Sequence, residues 1–201
     1  MRLFVALELN SKVIAHLTEL VRRLSPISPV HWVHPQSMHV TLKYVGEWKE
    51  NRLEAMLRAL DEVKIKVPIS VPLAGLGFFP AGPNPRIFWV GAENTPPLRQ
   101  LASAVDAVLS QLGIAPEVRP LEPHLTLGRV KEGHDLTEMH EAIEELPSRD
   151  FGTITPDRFV LFESTLTPNG AIYRKVQEFS FLSGPVAEPE RRPGSRQFAL
   201  G

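Results

Sequence analysis

The sequence predicts a fold of mixed helices and strands, built from two copies of one strand–helix–strand–helix–strand unit. The tetrapeptide His-Val-Thr-Leu at residues 39–42 returns as His-Leu-Thr-Leu at residues 124–127. Three pairs of landmarks recur at offsets of 84, 85 and 83 residues: Arg2 and Arg86, His39 and His124, Leu76 and Phe159. Because so long a period occurs only twice, we expect a pseudo-twofold pair of halves, about 2–83 and 86–163, and not a solenoid.

Each half begins with a short apolar strand and continues into an amphipathic helix. These first strands are expected at residues 2–5 and 86–90. In the first half, Asn10 or Ser11 can cap a helix whose apolar stripe runs to about Leu24. In the second half, Thr95-Pro96 is a typical helix start, and Gly113 ends the helical pattern.

The two tetrapeptides lie in predicted strands, and each half then adds a helix and a last strand. We expect strands at 37–46 and 122–130, helices at 51–63 and 135–146, and last strands at 67–79 and 152–163. Residues 164–182 should form an additional hairpin, because Pro168-Asn169-Gly170 separates two strand-like runs. The sequence therefore predicts a single bilobal domain over residues 1–183. The last residues, 184–201, are expected to be disordered because few of them are apolar.

The composition excludes several classes of protein. The chain has 201 residues, a formal charge of −1 and no cysteine, which excludes disulfides, thiolate metal sites and thiol catalysis. A reducing cytoplasm is the expected compartment. No run of about 18 apolar residues occurs, so no membrane span is expected. Because the total charge is near neutral, bulk electrostatics do not indicate a nucleic-acid partner, and any contact with RNA would have to be local, at one end of an RNA strand.

The paired tetrapeptides predict two matching chemical half-sites. Alternate side chains on a strand share a face, so His39 and Thr41 point together, as do His124 and Thr126. The other motif positions face the core: Val40, Leu42, Leu125 and Leu127. A neutral imidazole can accept a proton while a charged one gives a proton. Phosphodiester hydrolysis needs both transfers, and two histidines can perform them without a metal ion or another cofactor.

Three segments together resemble the two-histidine phosphoesterase family. They are residues 2–7 (RLFVAL), 38–47 (MHVTLKYVGE) and 123–129 (PHLTLGR). The resemblance covers roughly residues 1–182 and is greatest to the bacterial and archaeal RNA 2′,3′-cyclic phosphodiesterases, also called 2′-5′ RNA ligases. It implies a bilobal α+β fold with two mostly antiparallel sheets facing a central cleft and helices on the outside. It also implies opening of 2′,3′-cyclic phosphate ends to 2′-phosphates, and ATP-independent joining of RNA ends through a 2′-5′ bond.

The resemblance also implies the roles of the motif residues. His39 would be the proton donor to the leaving 3′-oxygen, and His124 would accept a proton from water. The spacing alone leaves these two roles interchangeable. Thr41 and Thr126 share the faces of the histidines, so their hydroxyls are expected to donate hydrogen bonds to the phosphate oxygens.

Two basic residues follow the tetrapeptides. Arg129 is expected to contact the phosphate by resemblance, although strict alternation puts it on the face opposite His124. A bulge at Gly128 could return it to the site. By the same count of alternation, Lys43 shares the face of His39.

Three alternative functions stay open at the level of sequence. The chain could be a nucleotide-binding or RNA-binding module that has kept the cleft and lost catalysis. It could be a phosphodiesterase that acts on another small cyclic phosphate. It could also be a metallohydrolase that uses the histidines as ligands.

The remaining expectations concern partners and nearby side chains. We expect RNA ends or small cyclic nucleotides as partners, no membrane, no obligate protein partner, and a monomer. His31 and His34 are expected at the surface or at an edge, since Pro35 breaks their segment and no third metal ligand follows. Trp32 is expected to pack in the core and not to stack on a base.

Overall fold

A computed structural model describes residues 1–167 and 170–181, within which nine antiparallel strands and four α-helices form an α+β fold. The strands are β1 (Arg2–Glu8), β2 (Val30–Trp32), β3 (His39–Glu47), β4 (Val71–Phe79), β5 (Ile87–Ala92), β6 (His124–Val130), β7 (Asp150–Ile154), β8 (Arg158–Thr167) and β9 (Gly170–Ser180). The helices are α1 (Ser11–Leu24), α2 (Leu53–Asp61), α3 (Pro96–Ser110) and α4 (Thr137–Glu144). None of these helices has the length and apolar content needed to cross a membrane.

The strands form one curled sheet in the order β7-β4-β5-β6-β3-β1-β8-β9, and β2 pairs with β6. The order confirms the duplication. Strand β4, at the end of the first half, pairs with β5 of the second, and β8 returns to pair with β1. The two motif strands, β3 and β6, meet at the centre through one register pair, Val40 and Leu125. The two sheets that the resemblance implied are therefore two wings of a single sheet.

The helices that follow the first strands begin where the sequence predicted. The side chain of Asn10 accepts a hydrogen bond from the amide of Val13 at 3.0 Å, which satisfies a donor of the first turn of α1. The predicted apolar stripe of α1 packs into the main core, with these side chains buried: Val13, Leu17, Leu20 and Leu24. Helix α3 starts after Thr95, as expected, and Gly113 follows it in a left-handed conformation with φ of 86°.

Some predicted bounds were wrong for local reasons. The segment 152–163 was predicted as one strand, but it contains two, β7 and β8, because Pro156 lies between them and has no amide hydrogen for the ladder. Strand β2 was not predicted, since three residues are too few for alternation to be visible. The predicted tail at 184–201 and Pro168-Asn169 of the predicted turn lie outside the described residues. Strands β8 and β9, on either side of that turn, pair antiparallel.

Candidate active site

The two motif strands lie side by side in antiparallel register. Because Val40 pairs with Leu125, Thr126 lies beside His39, and His124 lies beside Thr41. The two imidazoles are therefore diagonal neighbours on one face, a spacing of about 7–8 Å in a regular sheet. The opposite face is apolar, as predicted, with four buried motif side chains: Val40, Leu42, Leu125 and Leu127.

A cavity of about 250 Å³ opens on the polar face of the motif strands. It is lined by all five residues that the sequence assigned to the site: His39, Thr41, His124, Thr126 and Arg129. The fold also brings Arg2, Tyr44 and Tyr173 to its wall, from strands β1, β3 and β9. Space for a small anion therefore lies against both histidines.

Each imidazole is oriented by the backbone just before its strand. Nδ1 of His39 lies 2.9 Å from the carbonyl oxygen of Ser37, and Nδ1 of His124 lies 3.0 Å from that of Glu122. A carbonyl oxygen only accepts, so Nδ1 carries the hydrogen in both rings, and Nε2 is the atom that gains or loses a proton. Each ring can therefore act as a base when neutral and as an acid when charged.

The two rings have different surroundings. His39 stacks on Phe4 with 4.7 Å between ring centroids, and it meets the edge of Tyr173 at 5.1 Å. Burial lowers the pKa of His39 below its ordinary value; the Ser37 carbonyl opposes this shift and the charge of His124 adds to it. Since the charge of one ring disfavours the charge of the other, the state in which both imidazoles are protonated is disfavoured.

The titration of His39 should reveal this environment. Because the folded protein disfavours the charged ring, the Cε1 proton resonance of His39 should titrate with a midpoint below pH 6.5, the ordinary pKa of histidine. The substitution His124→Asn removes a charge that contributes to the lowering, so the midpoint should then move upward. The exposed His134 provides a control, and His134→Asn should leave the midpoint unchanged. A midpoint above 6.5 in the protein without ligand would contradict the buried environment.

A bulge at the same place in both motif strands decides which later side chains reach the cavity. The register between β1 and β3 shifts at Leu42, and the register between β5 and β6 shifts at Leu127. Beyond each bulge the alternation is inverted, so side chains that would have pointed to the core point to the cavity, and the reverse. Arg129 therefore lines the cavity, as expected from a bulge beside Gly128. Lys43 turns the other way and is only 3% exposed, so the expectation that it shares the histidine face was wrong.

Close packing explains why glycine follows the second tetrapeptide. A Cβ atom on Gly128 would lie 2.5 Å from Cγ1 of Val30 and 2.6 Å from the carbonyl oxygen of His31. Carbon atoms do not approach so closely, and a backbone oxygen cannot move aside without breaking the pairing of β2 with β6. Glycine at this position therefore lets β2 cover the edge of the motif strand next to Arg129.

The cavity carries positive charge. Arg2 and Arg129 line it, and within residues 1–167 and 170–181 no carboxylate side chain does. In the same part of the chain, the hydroxyls of Thr41 and Thr126 make no hydrogen bond. Burial raises the pKa of the Tyr173 phenol, against the opposing effect of Arg129 and Arg2, so its hydroxyl keeps its proton at neutral pH. These donors and cations suit a bound phosphate group.

Among the cavity residues that sequence reasoning did not assign, three carry a charge or a phenol: Arg2, Tyr44 and Tyr173. Tyr44 has a visible signal, since it follows His39 by the same five residues that separate Arg129 from His124. Arg2 donates a hydrogen bond from Nε to the hydroxyl of Tyr44, and it was used only as a landmark of the first strand. Tyr173 lies far along the chain in β9, and nothing local in the sequence marks it.

Three nearby side chains lie where the sequence predicted. His31 and His34 are exposed, and Trp32 packs against the core with its ring centroid 5.8 Å from that of Phe88. Across the described part of the chain, no group of three or more histidine, cysteine, aspartate or glutamate side chains could hold a metal ion.

Two imidazoles and two hydroxyls that face one cationic cavity are the arrangement of a two-histidine phosphoesterase. The model of the LigT-like phosphoesterase family matches the chain twice, over residues 7–89 and 90–173. The chain therefore belongs to this family. The double match is independent support for the internal duplication.

The chain is similar to known proteins over nearly its whole length. It is 35% identical over 190 residues to the RNA 2′,3′-cyclic phosphodiesterase of Thermotoga maritima, with 92% of this chain and 98% of that protein covered. It is 33% identical over 179 residues to the protein of that name from Archaeoglobus fulgidus, with 89% and 99% covered. The crystal structure of TT0787 of Thermus thermophilus has a TM-score of 0.76 and 29% identity, and 90% of this chain and 98% of that chain are covered.

Proposed function

We propose that this protein is an RNA 2′,3′-cyclic phosphodiesterase that opens a terminal cyclic phosphate to a 2′-phosphate. The observation that carries the proposal is the position of His39 and His124, which come from the two copies of the repeat and line one cationic cavity. The similarity to proteins named RNA 2′,3′-cyclic phosphodiesterase supports the choice of substrate.

In the proposed reaction, water attacks the phosphorus atom and the bond from phosphorus to the ribose 3′-oxygen breaks. Nε2 of His124 accepts a proton from the attacking water, while Nε2 of His39 gives a proton to the departing 3′-oxygen. The phosphate stays on the 2′-oxygen. One turnover leaves His124 charged and His39 neutral, and proton exchange with solvent restores the starting pair.

The lowered pKa of His39 bears on this assignment of roles. Burial and the charge of His124 favour a neutral His39, whereas a proton donor must be charged. A bound phosphodiester is an anion, and an opposite charge within about 4–6 Å favours the charged form of a histidine. Binding of the anionic substrate therefore favours the protonated form of His39, which the donor role needs.

The other groups of the cavity would hold the phosphate as the reaction proceeds. The hydroxyls of Thr41 and Thr126 and the guanidinium of Arg129 can donate hydrogen bonds to its non-bridging oxygens. Negative charge grows on these oxygens in the transition state, so the same donors bind the transition state more tightly than the substrate. Arg2 adds positive charge on the same wall.

The same centre would join RNA ends when a 5′-hydroxyl replaces water as the nucleophile. The phosphorus atom would then be bonded to the 2′-oxygen of one strand and the 5′-oxygen of the other, and the 3′-oxygen would leave as before. One ester bond is exchanged for another, so no ATP is required.

An RNA that carries a 2′,3′-cyclic phosphate is the substrate that tests the proposal. Incubation with the protein should give an end with a 2′-phosphate, and the position of the phosphate can be determined by chromatography against 2′- and 3′-phosphate standards. A panel of 2′,3′-cyclic mononucleotides and other cyclic phosphates should be hydrolysed less efficiently than the RNA end. Tight binding without product from the folded protein would identify a binding module instead, and exclusive formation of a 3′-phosphate would contradict the proposed bond cleavage.

Hydrolysis is expected to persist after exhaustive treatment with EDTA. Two histidines can perform both proton transfers, and residues 1–167 and 170–181 contain no cluster that could hold a metal ion. The measurement is kcat/KM before and after chelation and dialysis. A loss of activity that a divalent metal restores would instead support a metallohydrolase.

A further inference from the structure

We infer that the cavity on the His124 side of the active site binds the polynucleotide strand of an RNA end, and that Arg99 and Arg119 contact its phosphates. The inference rests on the proposed function, since it assigns the part of the substrate beyond the cyclic phosphate. The cavity has a volume of about 470 Å³, within the range of roughly 300–1,000 Å³ that is usual for ligand sites.

This second cavity is continuous with the active site. Thr41, Tyr44 and His124 line both cavities, so the two share a wall at the motif strands. Residues of helix α3 and of the irregular segment 111–123, which leads into β6, form the rest of the wall. An RNA strand whose end lies at the histidines can therefore enter this cavity directly. Long irregular segments inside a compact fold are often binding elements.

The internal duplication provides a comparison within the same chain. A cavity of about 260 Å³ flanks His39 in the way that the larger cavity flanks His124. Residues that are 85 positions apart line the two: Leu9 and Asn94, Ile14 and Arg99, Ser37 and Glu122, His39 and His124. The duplication by itself would make these two cavities alike; they are called the larger flank, beside His124, and the smaller flank, beside His39. Arg99 in place of the equivalent isoleucine therefore gives one flank a cation that the other copy lacks.

The smaller flank has a cation of its own, but carboxylates neutralise it. Nζ of Lys175 lies 2.9 Å from a carboxylate oxygen of Glu8 and 2.8 Å from one of Glu178. The difference between the flanks is thus one of available charge as well as of volume. The larger flank is the one that offers a polyanion arginines without a carboxylate partner among the described residues.

The cations of the larger flank divide into one that is neutralised and two that are available. Lys43 is buried and paired with Asp106 at 2.7 Å and with Glu117 at 3.1 Å. Arg99 donates one guanidinium hydrogen to the carbonyl oxygen of Asn94 and keeps its other donors. Arg119 makes no hydrogen bond or ion pair within the described residues. Glu122 and the second carboxylate of the Lys43 cluster are left in the lining, so its formal charges balance, but neither of these carboxylates pairs with Arg99 or Arg119.

The segment that carries Arg119 is fixed at its base. Nζ of Lys43 donates to the carbonyl oxygen of Ala115 at 2.7 Å, and the amide of Glu117 donates to Oδ1 of Asp106 at 3.2 Å. Arg119 follows this anchor by two residues and is exposed. A guanidinium group can bind a phosphate through two parallel hydrogen bonds, so each of the two arginines can bind a backbone phosphate of RNA while it stays exposed.

The double substitution Arg99→Gln/Arg119→Gln tests the inference with two substrates that share one reacting group. The value of kcat/KM for an oligoribonucleotide with a 2′,3′-cyclic end should fall about tenfold or more, as expected for lost charge-assisted hydrogen bonds. The value for a 2′,3′-cyclic mononucleotide should not change. The control is Arg22→Gln/Arg58→Gln, which removes the same charge from exposed positions on α1 and α2. An equal loss on both substrates, or no loss on the oligonucleotide, would overturn the inference.

A binding measurement separates this inference from the proposed function. An oligoribonucleotide that ends in a 2′-phosphate is titrated with each variant, and its fluorescence anisotropy is followed at several salt concentrations. The double substitution should make the slope of log affinity against log salt shallower by about 0.7 for each lost phosphate contact. If the wild-type protein hydrolyses neither substrate, the proposed function fails and this titration still decides the inference. Equal affinity and equal slope in the double variant and the control would refute the subsite.

Discussion

Alanine in place of either His39 or His124 is expected to lower kcat/KM for a 2′,3′-cyclic phosphate end by about 10²–10⁴-fold, the usual contribution of one general acid or base. Each substitution removes one of two proton transfers and leaves the hydroxyls and arginines of the cavity in place. The effects of the two substitutions should not add in full, because both residues act in a single step. Steady-state kinetics at neutral pH, with circular dichroism to verify folding, measure the effect.

A histidine outside the cavity provides the matched control. His31 is exposed on β2, next to motif strand β6, and His31→Ala should leave kcat/KM unchanged. If His39→Ala or His124→Ala kept most of the wild-type activity, the two-histidine mechanism would be wrong. If both variants bound the RNA end normally without turnover, the loss would be assigned to chemistry and not to binding.

The substitution Asp106→Ala is expected to lower the free energy of unfolding by about 3 kcal/mol, the lower end of the range for removing one partner of a buried ion pair. Lys43 is 3% exposed, and Asp106 is the nearer of its two carboxylates, at 2.7 Å. Without this carboxylate the buried ammonium keeps only Glu117 and one carbonyl oxygen as partners. The lower end is chosen because those partners stay. Urea denaturation, with the midpoint and slope compared to wild type, measures the cost.

The second carboxylate of this cluster gives an internal comparison. The Glu117 side chain is 56% exposed, and Glu117→Ala should therefore cost less than about 1 kcal/mol, as surface ion pairs do. If the two substitutions lowered the free energy of unfolding equally, the difference in exposure between Asp106 and Glu117 would not determine how much each carboxylate contributes to stability. A variant that is folded but has lost this anchor should also bind RNA ends less well, because the segment before Arg119 would be loosened.

Several parts of the site could be predicted because they depend on local alternation alone. His39 and Thr41 share a face on any regular strand, and the same holds for His124 and Thr126. The apolar residues between them, Val40 among them, then must face the core. The repetition of this pattern at one offset indicated that two such strands belong to one site, before any contact between them was known.

Other parts could not be predicted because they depend on pairing between distant strands. The bulges at Leu42 and Leu127 are visible only as shifts against β1 and β5, and they decide that Arg129 faces the cavity while Lys43 is buried. The pKa of His39 is lowered by burial among aromatic rings such as Phe4 and Tyr173, which come from opposite ends of the chain.

The sequence by itself determined the chemistry of this protein: two imidazoles and two hydroxyls, each set on one face of a strand, in two copies of one unit. The tertiary structure decided what surrounds that chemistry. It brought Arg2, Tyr44 and Tyr173 to the wall of the cavity. It also made the flank beside His124 larger than the flank beside His39, and it gave that flank two arginines that pair with no carboxylate among the described residues. The physical reason is that side-chain direction follows from the backbone of one strand, whereas burial, charge pairing and cavity shape depend on which strands and loops meet.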